Sequence, residues 1–204
     1  MKKNLININE SIFMWMFMIP DGVISDSRVK LQEFLGFKFP MPQIVEISIP
    51  YYAFYHSGVI FIGYFDEEYR EEIERTIIHE MAHYVQDLIC KPKFPYLHAI
   101  FEGILLPFGI GNGKLLKYLR FIEGFATWID EEIMGYRGDD YWFSLPKYYF
   151  RVYYEGAEIF RKMRKEKALE YGLSNEEFCK KTENYKIIRK AVGNLVQIIW
   201  KSLN

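Results

Sequence analysis

Cysteine is scarce in this chain: Cys90 and Cys179 are the only two among 204 residues. Two are too few for a disulfide framework, they form no metal-ligand pair, and neither stands near a histidine pattern that suggests a nucleophile. The expectation is a reducing, cytoplasmic compartment. A charge of one sign is also missing, since Lys+Arg 26 stand against Asp+Glu 27. With no basic excess, nothing points to nucleic acid or an anionic membrane as a partner. Nor is there a long apolar run, because Ile12 to Ile19 is far shorter than the roughly 20 residues that span a bilayer. No membrane span is expected. Lys2 and Lys3 imitate the start of a signal peptide, but Asn4, Asn7, Asn9 and Glu10 interrupt the run and no small-residue cleavage site ends it. Internal repeats and low-complexity linkers are absent.

What is present is apolar and aromatic. Half the residues are hydrophobic and 18% are aromatic, which excludes a disordered chain and provides for a substantial core. We expect one domain over residues 1–204, with 1–42 as an N-terminal extension and 174–204 as a C-terminal helix. Asp26 or Ser27 caps a short helix that ends at Gly36. Gln43 to Ile49 alternates as a strand and Tyr51 to Tyr55 continues it after Pro50, while His56-Ser57-Gly58 turns into a second strand, Val59 to Tyr64. Asp66 is the expected N-cap of a long helix reaching Ile89. Lys91 to Gly113, with Pro92, Pro95 and Pro107, reads as an irregular insertion holding one short helix near Leu97 to Leu106. Further helices are expected over Lys114 to Met134 and Pro146 to Gly172, and a last one from Ser174, where Ser174 and Glu177 have capping-box spacing.

Within the long helix, His79-Glu80-Met81-Ala82-His83 reads HExxH. Histidines four apart lie about 40° apart around a helix and one turn along it, so both imidazoles reach one metal ion. Ile73, Ile77, Met81, Tyr84, Val85 and Leu88 form an apolar stripe, and His79 and His83 lie nearly opposite its centre. Neutral imidazoles suit one Zn²⁺, which leaves room for a third ligand and a water. Glu80 then serves as general base and acid. A lone HExxH also arises by chance, as two surface histidines beside an unrelated glutamate.

The third ligand is expected to be a carboxylate, and two glutamates compete. Glu102 follows His83 after 18 intervening residues and Glu123 after 39. Glu123 is favoured because Thr127 and Asp130 share its side of the next helix and can act as hydrogen-bonding support. His98, in the insertion, reads as an ordinary loop histidine. Asp87 either orients a ligating histidine or is a solvated helix residue.

HEMAH followed by Glu123-Gly124-Phe125-Ala126-Thr127-Trp128 resembles the gluzincin clan of zinc peptidases, most of all the E-G-F-A segment of its aminopeptidase branch. The resemblance implies Glu123 as third zinc ligand. Tyr153-Tyr154-Glu155-Gly156 is similar to the clan's Y-x-x-G segment, which implies Tyr153 as the hydroxyl that stabilises the oxyanion. Val59 to Tyr64 is similar to the edge strand that pairs with peptide substrate. The spacing usual in the aminopeptidase branch lands on Glu102 instead. The G-A-M-E-N type of segment that grips a free amino terminus is missing, as are that branch's extra domains. In size the chain is closer to the minimal gluzincins of archaea, some of which are held latent by their own termini.

The expected fold is α+β, zincin-like: a small twisted sheet packed on the HExxH helix, then a mainly helical half, with the cleft between them. The expected function is zinc-dependent hydrolysis of a peptide or protein substrate. The alternative is a latent or non-catalytic binding or regulatory protein, its cleft occluded by residues around Phe13 to Met18 or by the C-terminal helix.

Overall fold

A computed structural model describes residues 19–20, 22–49, 52–65, 69–92, 113–137 and 147–180. These form α1 (Val23–Leu35), β1 (Gln43–Glu46), β2 (Ala53–His56), β3 (Val59–Ile62), α2 (Arg70–Ile89), α3 (Gly113–Met134), α4 (Lys147–Arg161) and α5 (Lys165–Ser174). The architecture is α+β and mostly helical, with one small mixed sheet. The expected N-terminal apolar stretch before Ile19, the Asp66 cap, the short helix near Leu97 to Leu106, and Glu102 and His98 all lie outside the described residues.

The sheet order is β1-β3-β2, with β1 parallel and β2 antiparallel to β3. Two expectations are corrected here. Residues 53–56 do not prolong the first strand but form the far edge of the sheet, and Val59–Ile62 is the central strand, not an edge. The hairpin turn explains the first: Ser57 and Gly58 both have positive φ, 50° and 89°, the backbone of a two-residue turn whose twist suits antiparallel strands. Ile60 and Ile62 of β3 are fully buried and alternate with half-buried Val59 and Phe61, the pattern of a strand with one face packed on the core.

Helix α2 is the middle of the molecule. It packs against α1, β2, β3, α3 and α5, and every residue from Ile77 to Gln86 is buried. The apolar stripe is where the periodicity puts it, yet the opposite face is covered too. Helix α1, within the stretch assigned to an extension, adds Val23, Leu31 and Leu35 to the same hydrophobic cluster. It starts before the expected caps, so Ser27 is a buried residue inside it.

The expected helix from Pro146 to Gly172 is two helices. The backbone of Arg164 is extended, with ψ 149°, and this break turns α5 so that Ala168, Leu169 and Leu173 enter the core. Ser174 does not cap a new helix. Its hydroxyl donates to the Glu170 carbonyl at 2.6 Å, a bond back to the carbonyl one turn earlier in α5. The chain then turns back, and Cys179 forms a bridge with Pro92. The remainder of the expected C-terminal helix, beyond Lys180, lies outside the described residues.

That return corrects the reading of the cysteines. Cys90, at the end of α2, and Cys179 are joined in a disulfide across 89 positions of sequence. Both are buried, and cysteine usage therefore gives no support to a reducing compartment. Among the described residues, no helix is long and apolar enough to cross a membrane.

Candidate metal centre

The face of α2 opposite its apolar stripe looks onto α3, and the two helices bring three donor atoms to one point. His79 Nε2 is 3.2 Å from Glu123 Oε2, His83 Nε2 is 3.2 Å from His79 Nε2, and His83 Nε2 is 3.3 Å from Glu123 Oε2. The triangle is nearly equilateral. Ligand atoms about 2.0 to 2.1 Å from a tetrahedral zinc ion stand roughly 3.3 Å apart, so its edges match the edge of such a coordination shell. His79, His83 and Glu123 could hold a metal ion.

Electrostatics supports that fit. Relative exposure is 9% for His79, 5% for His83 and 1% for Glu123, so little water screens the three groups. Three lone pairs at this separation repel unless a positive charge lies among them. A proton or a metal ion can fill that need. Burial opposes charge on His79, but its hydrogen bonds to Asp130 and Glu123 and the charges of Glu80 and Glu123 override this, holding its pKa well above the usual imidazole range. A metal ion would take the proton's place.

Asp130 sets the tautomer. Its Oδ2 is 2.9 Å from His79 Nδ1, while its Oδ1 accepts from Arg75 Nε at 2.8 Å. A carboxylate paired with a guanidinium only accepts, so the proton on the histidine bond belongs to Nδ1 and the Nε2 lone pair faces the triangle. Thr127, expected to share this duty, is fully buried one turn from Glu123, but its hydroxyl has no hydrogen-bond partner among the described residues. Asp87 takes neither expected role: Tyr55 Oη donates to its carboxylate at 2.6 Å. Burial, together with that bond, raises the Tyr55 pKa.

Glu80 lies between the two histidines on α2 and is buried at 8% exposure. The ring of Tyr153, half-buried on α4, has its centroid 6.0 Å from that of His79. A close helix crossing explains why Tyr153 is near. A Cβ built on Gly124 would fall 2.2 Å from the carbonyl carbon of Gly156, and one on Gly156 would fall 3.0 Å from Gly124 Cα. The backbones of α3 and α4 touch at these two glycines. Glu123 adjoins one and Tyr153 stands one turn from the other, so the crossing carries both side chains to the same place.

Sequence reasoning missed three contributors. Arg75 is four residues before His79 and shares its helix face, a spacing that could have singled it out. The Gly124–Gly156 contact and the Tyr55–Asp87 bond depend on partners far apart in sequence. No family model, no curated protein and no solved structure matches this chain.

Proposed function

We propose that the chain is a zinc-dependent peptidase of gluzincin type. The observation that carries this reading is the triangle of His79 Nε2, His83 Nε2 and Glu123 Oε2, whose edges of 3.2 to 3.3 Å suit a tetrahedral ion. His79, His83 and Glu123 would hold the zinc ion, which would supply Lewis acidity and lower the pKa of a nearby water to about 7. Glu80, the one carboxylate between the two histidines on their helix, takes the proton from the attacking water and delivers it to the leaving amine. Tyr153 donates its phenolic hydrogen to the oxygen on which negative charge develops. Asp130 keeps Nδ1 of His79 protonated. An extended substrate would pair with the outer edge of β2, which packs on α2 and, among the described residues, pairs only with β3.

The test is zinc content with peptide cleavage by wild type and Glu80→Gln. Both proteins are expected to carry one zinc, and the variant to lose at least about a hundredfold in cleavage rate, the contribution of a general base. Equal cleavage by the two proteins would overturn the catalytic assignment.

One observation favours a second reading. His79, Glu80, His83 and Glu123 are each exposed by 9% or less, which suits a metal centre in a latent or regulatory protein with an occluded cleft. In that case removal of a terminal segment releases cleavage, and trimmed protein outpaces the full chain; equal rates would sink the idea.

A further inference from the structure

We propose that Arg75 is a positioning residue of the metal centre: acting through Asp130, and given the zinc reading of the site, it holds His79 in the orientation and tautomer that present Nε2 to the ion. Arg75 and His79 stand four residues apart on α2 and therefore point to one side, where Asp130 of α3 meets both. One carboxylate oxygen of Asp130 takes Arg75 Nε at 2.8 Å and the other takes His79 Nδ1 at 2.9 Å. With both oxygens engaged, the carboxylate cannot swing away from the histidine.

The surroundings favour this role for Arg75. Its side chain is 15% exposed and that of Asp130 is 2% exposed, so the guanidinium is the charge that compensates a buried carboxylate. The neighbouring acid, Glu131, is 4.0 Å from Arg75 Nη2, outside hydrogen-bond range. Both Glu131 oxygens are already held by Arg161, at 2.5 and 2.6 Å from its Nη2. The ring of Tyr136 covers the guanidinium from another side, 5.2 Å from its carbon. Glu131 is thereby occupied, and among the described residues Asp130 is the carboxylate that accepts a hydrogen bond from Arg75.

Without Arg75, nothing holds the first oxygen of the Asp130 carboxylate, which is then free to rotate away from His79. That rotation removes the acceptor for the His79 Nδ1 proton. The imidazole can then carry its proton on Nε2, the atom a metal must occupy. An ordinary ion pair between helices would affect stability alone and leave zinc affinity untouched, and this difference makes the proposal testable.

The experiment measures zinc affinity, by competition with a chromogenic chelator, for full-length wild type, Arg75→Gln, Asp130→Asn and the double variant. Visible spectra of the cobalt-loaded proteins are recorded alongside. Arg75→Gln is expected to weaken zinc about tenfold, at the lower end of the range for groups that support a ligand, and to shift the cobalt bands. The double variant should match Asp130→Asn within twofold, because one residue acts through the other. If Arg75→Gln does not fold, Arg75→Lys takes its place with the same expectation, since it keeps the charge but loses the planar fork. Wild-type affinity and spectrum in the Arg75 variant, or additive losses in the double, would overturn the proposal and leave the zinc reading standing. A wild-type chain that binds no zinc would overturn both.

Discussion

A histidine pair and a glutamate packed into an interior, with lone pairs aimed at one another, would be costly as a purely structural arrangement. The surrounding groups are arranged to make it tolerable: Asp130 fixes a proton on the far side of His79, and Arg75 fixes Asp130. Tyr153 is the residue whose role is most open to direct measurement. If its hydroxyl serves the developing oxyanion, Tyr153→Phe lowers kcat by about 10²-fold, the usual cost of one such donor, with zinc affinity unchanged. A kcat within twofold of wild type would reduce Tyr153 to a packing residue. At this scale much was legible in the sequence. His79 and His83 emerge from the HExxH spacing, and Glu123 from the helix side it shares with Thr127 and Asp130 together with the resemblance of its segment. Asp130 follows from Glu123 on the same reasoning. Arg75 is one of 26 cations, and although its spacing puts it on the helix face of His79, that spacing alone does not tell a guanidinium that reaches a neighbouring helix from one in water.

The crossing of α3 and α4 determines whether those side chains meet. In an open helix, Gly→Ala stabilises by about 1 kcal/mol. Gly124 should reverse that sign, because the added methyl would sit 2.2 Å from the Gly156 backbone, and overpacking typically costs about 1 to 3 kcal/mol. We therefore expect Gly124→Ala to lower the thermal midpoint, measured by circular dichroism. An unchanged or raised midpoint would mean that the helices part without cost. The elements themselves were readable to within a few residues wherever periodicity was long, as in α2 and α3. Strand order was not, because four-residue strands carry no record of which neighbour they pair with. Hence Val59–Ile62, expected at an edge, is central, and the proposed peptide-pairing role falls to β2. The break at Arg164 was hidden for a similar reason: α5 turns to bury Ala168 and Leu173, a tertiary demand placed on a sequence that reads as continuous helix.

Across the whole molecule, α2 is both the core helix and the catalytic helix proposed here. Its apolar stripe joins the sheet and α1 to one hydrophobic cluster, and its polar face is enclosed by α3. The disulfide reinforces this plan, since it ties the end of α2 to the segment after α5. The loop it closes contains Glu123, Asp130 and Tyr153, every residue that α2 needs from elsewhere in the site. In the chain-entropy treatment, closing a loop of that length contributes about 4.5 kcal/mol. Counting cysteines could not anticipate the bond, because only the returning chain brings the two together. The central claim, that His79, His83 and Glu123 form one zinc centre, is tested most directly by native mass spectrometry of wild type and Glu123→Ala after exposure to stoichiometric zinc. The predicted result is one zinc per wild-type chain and its loss from the variant. A wild-type chain that stays metal-free, or a variant that keeps its zinc, would contradict the claim.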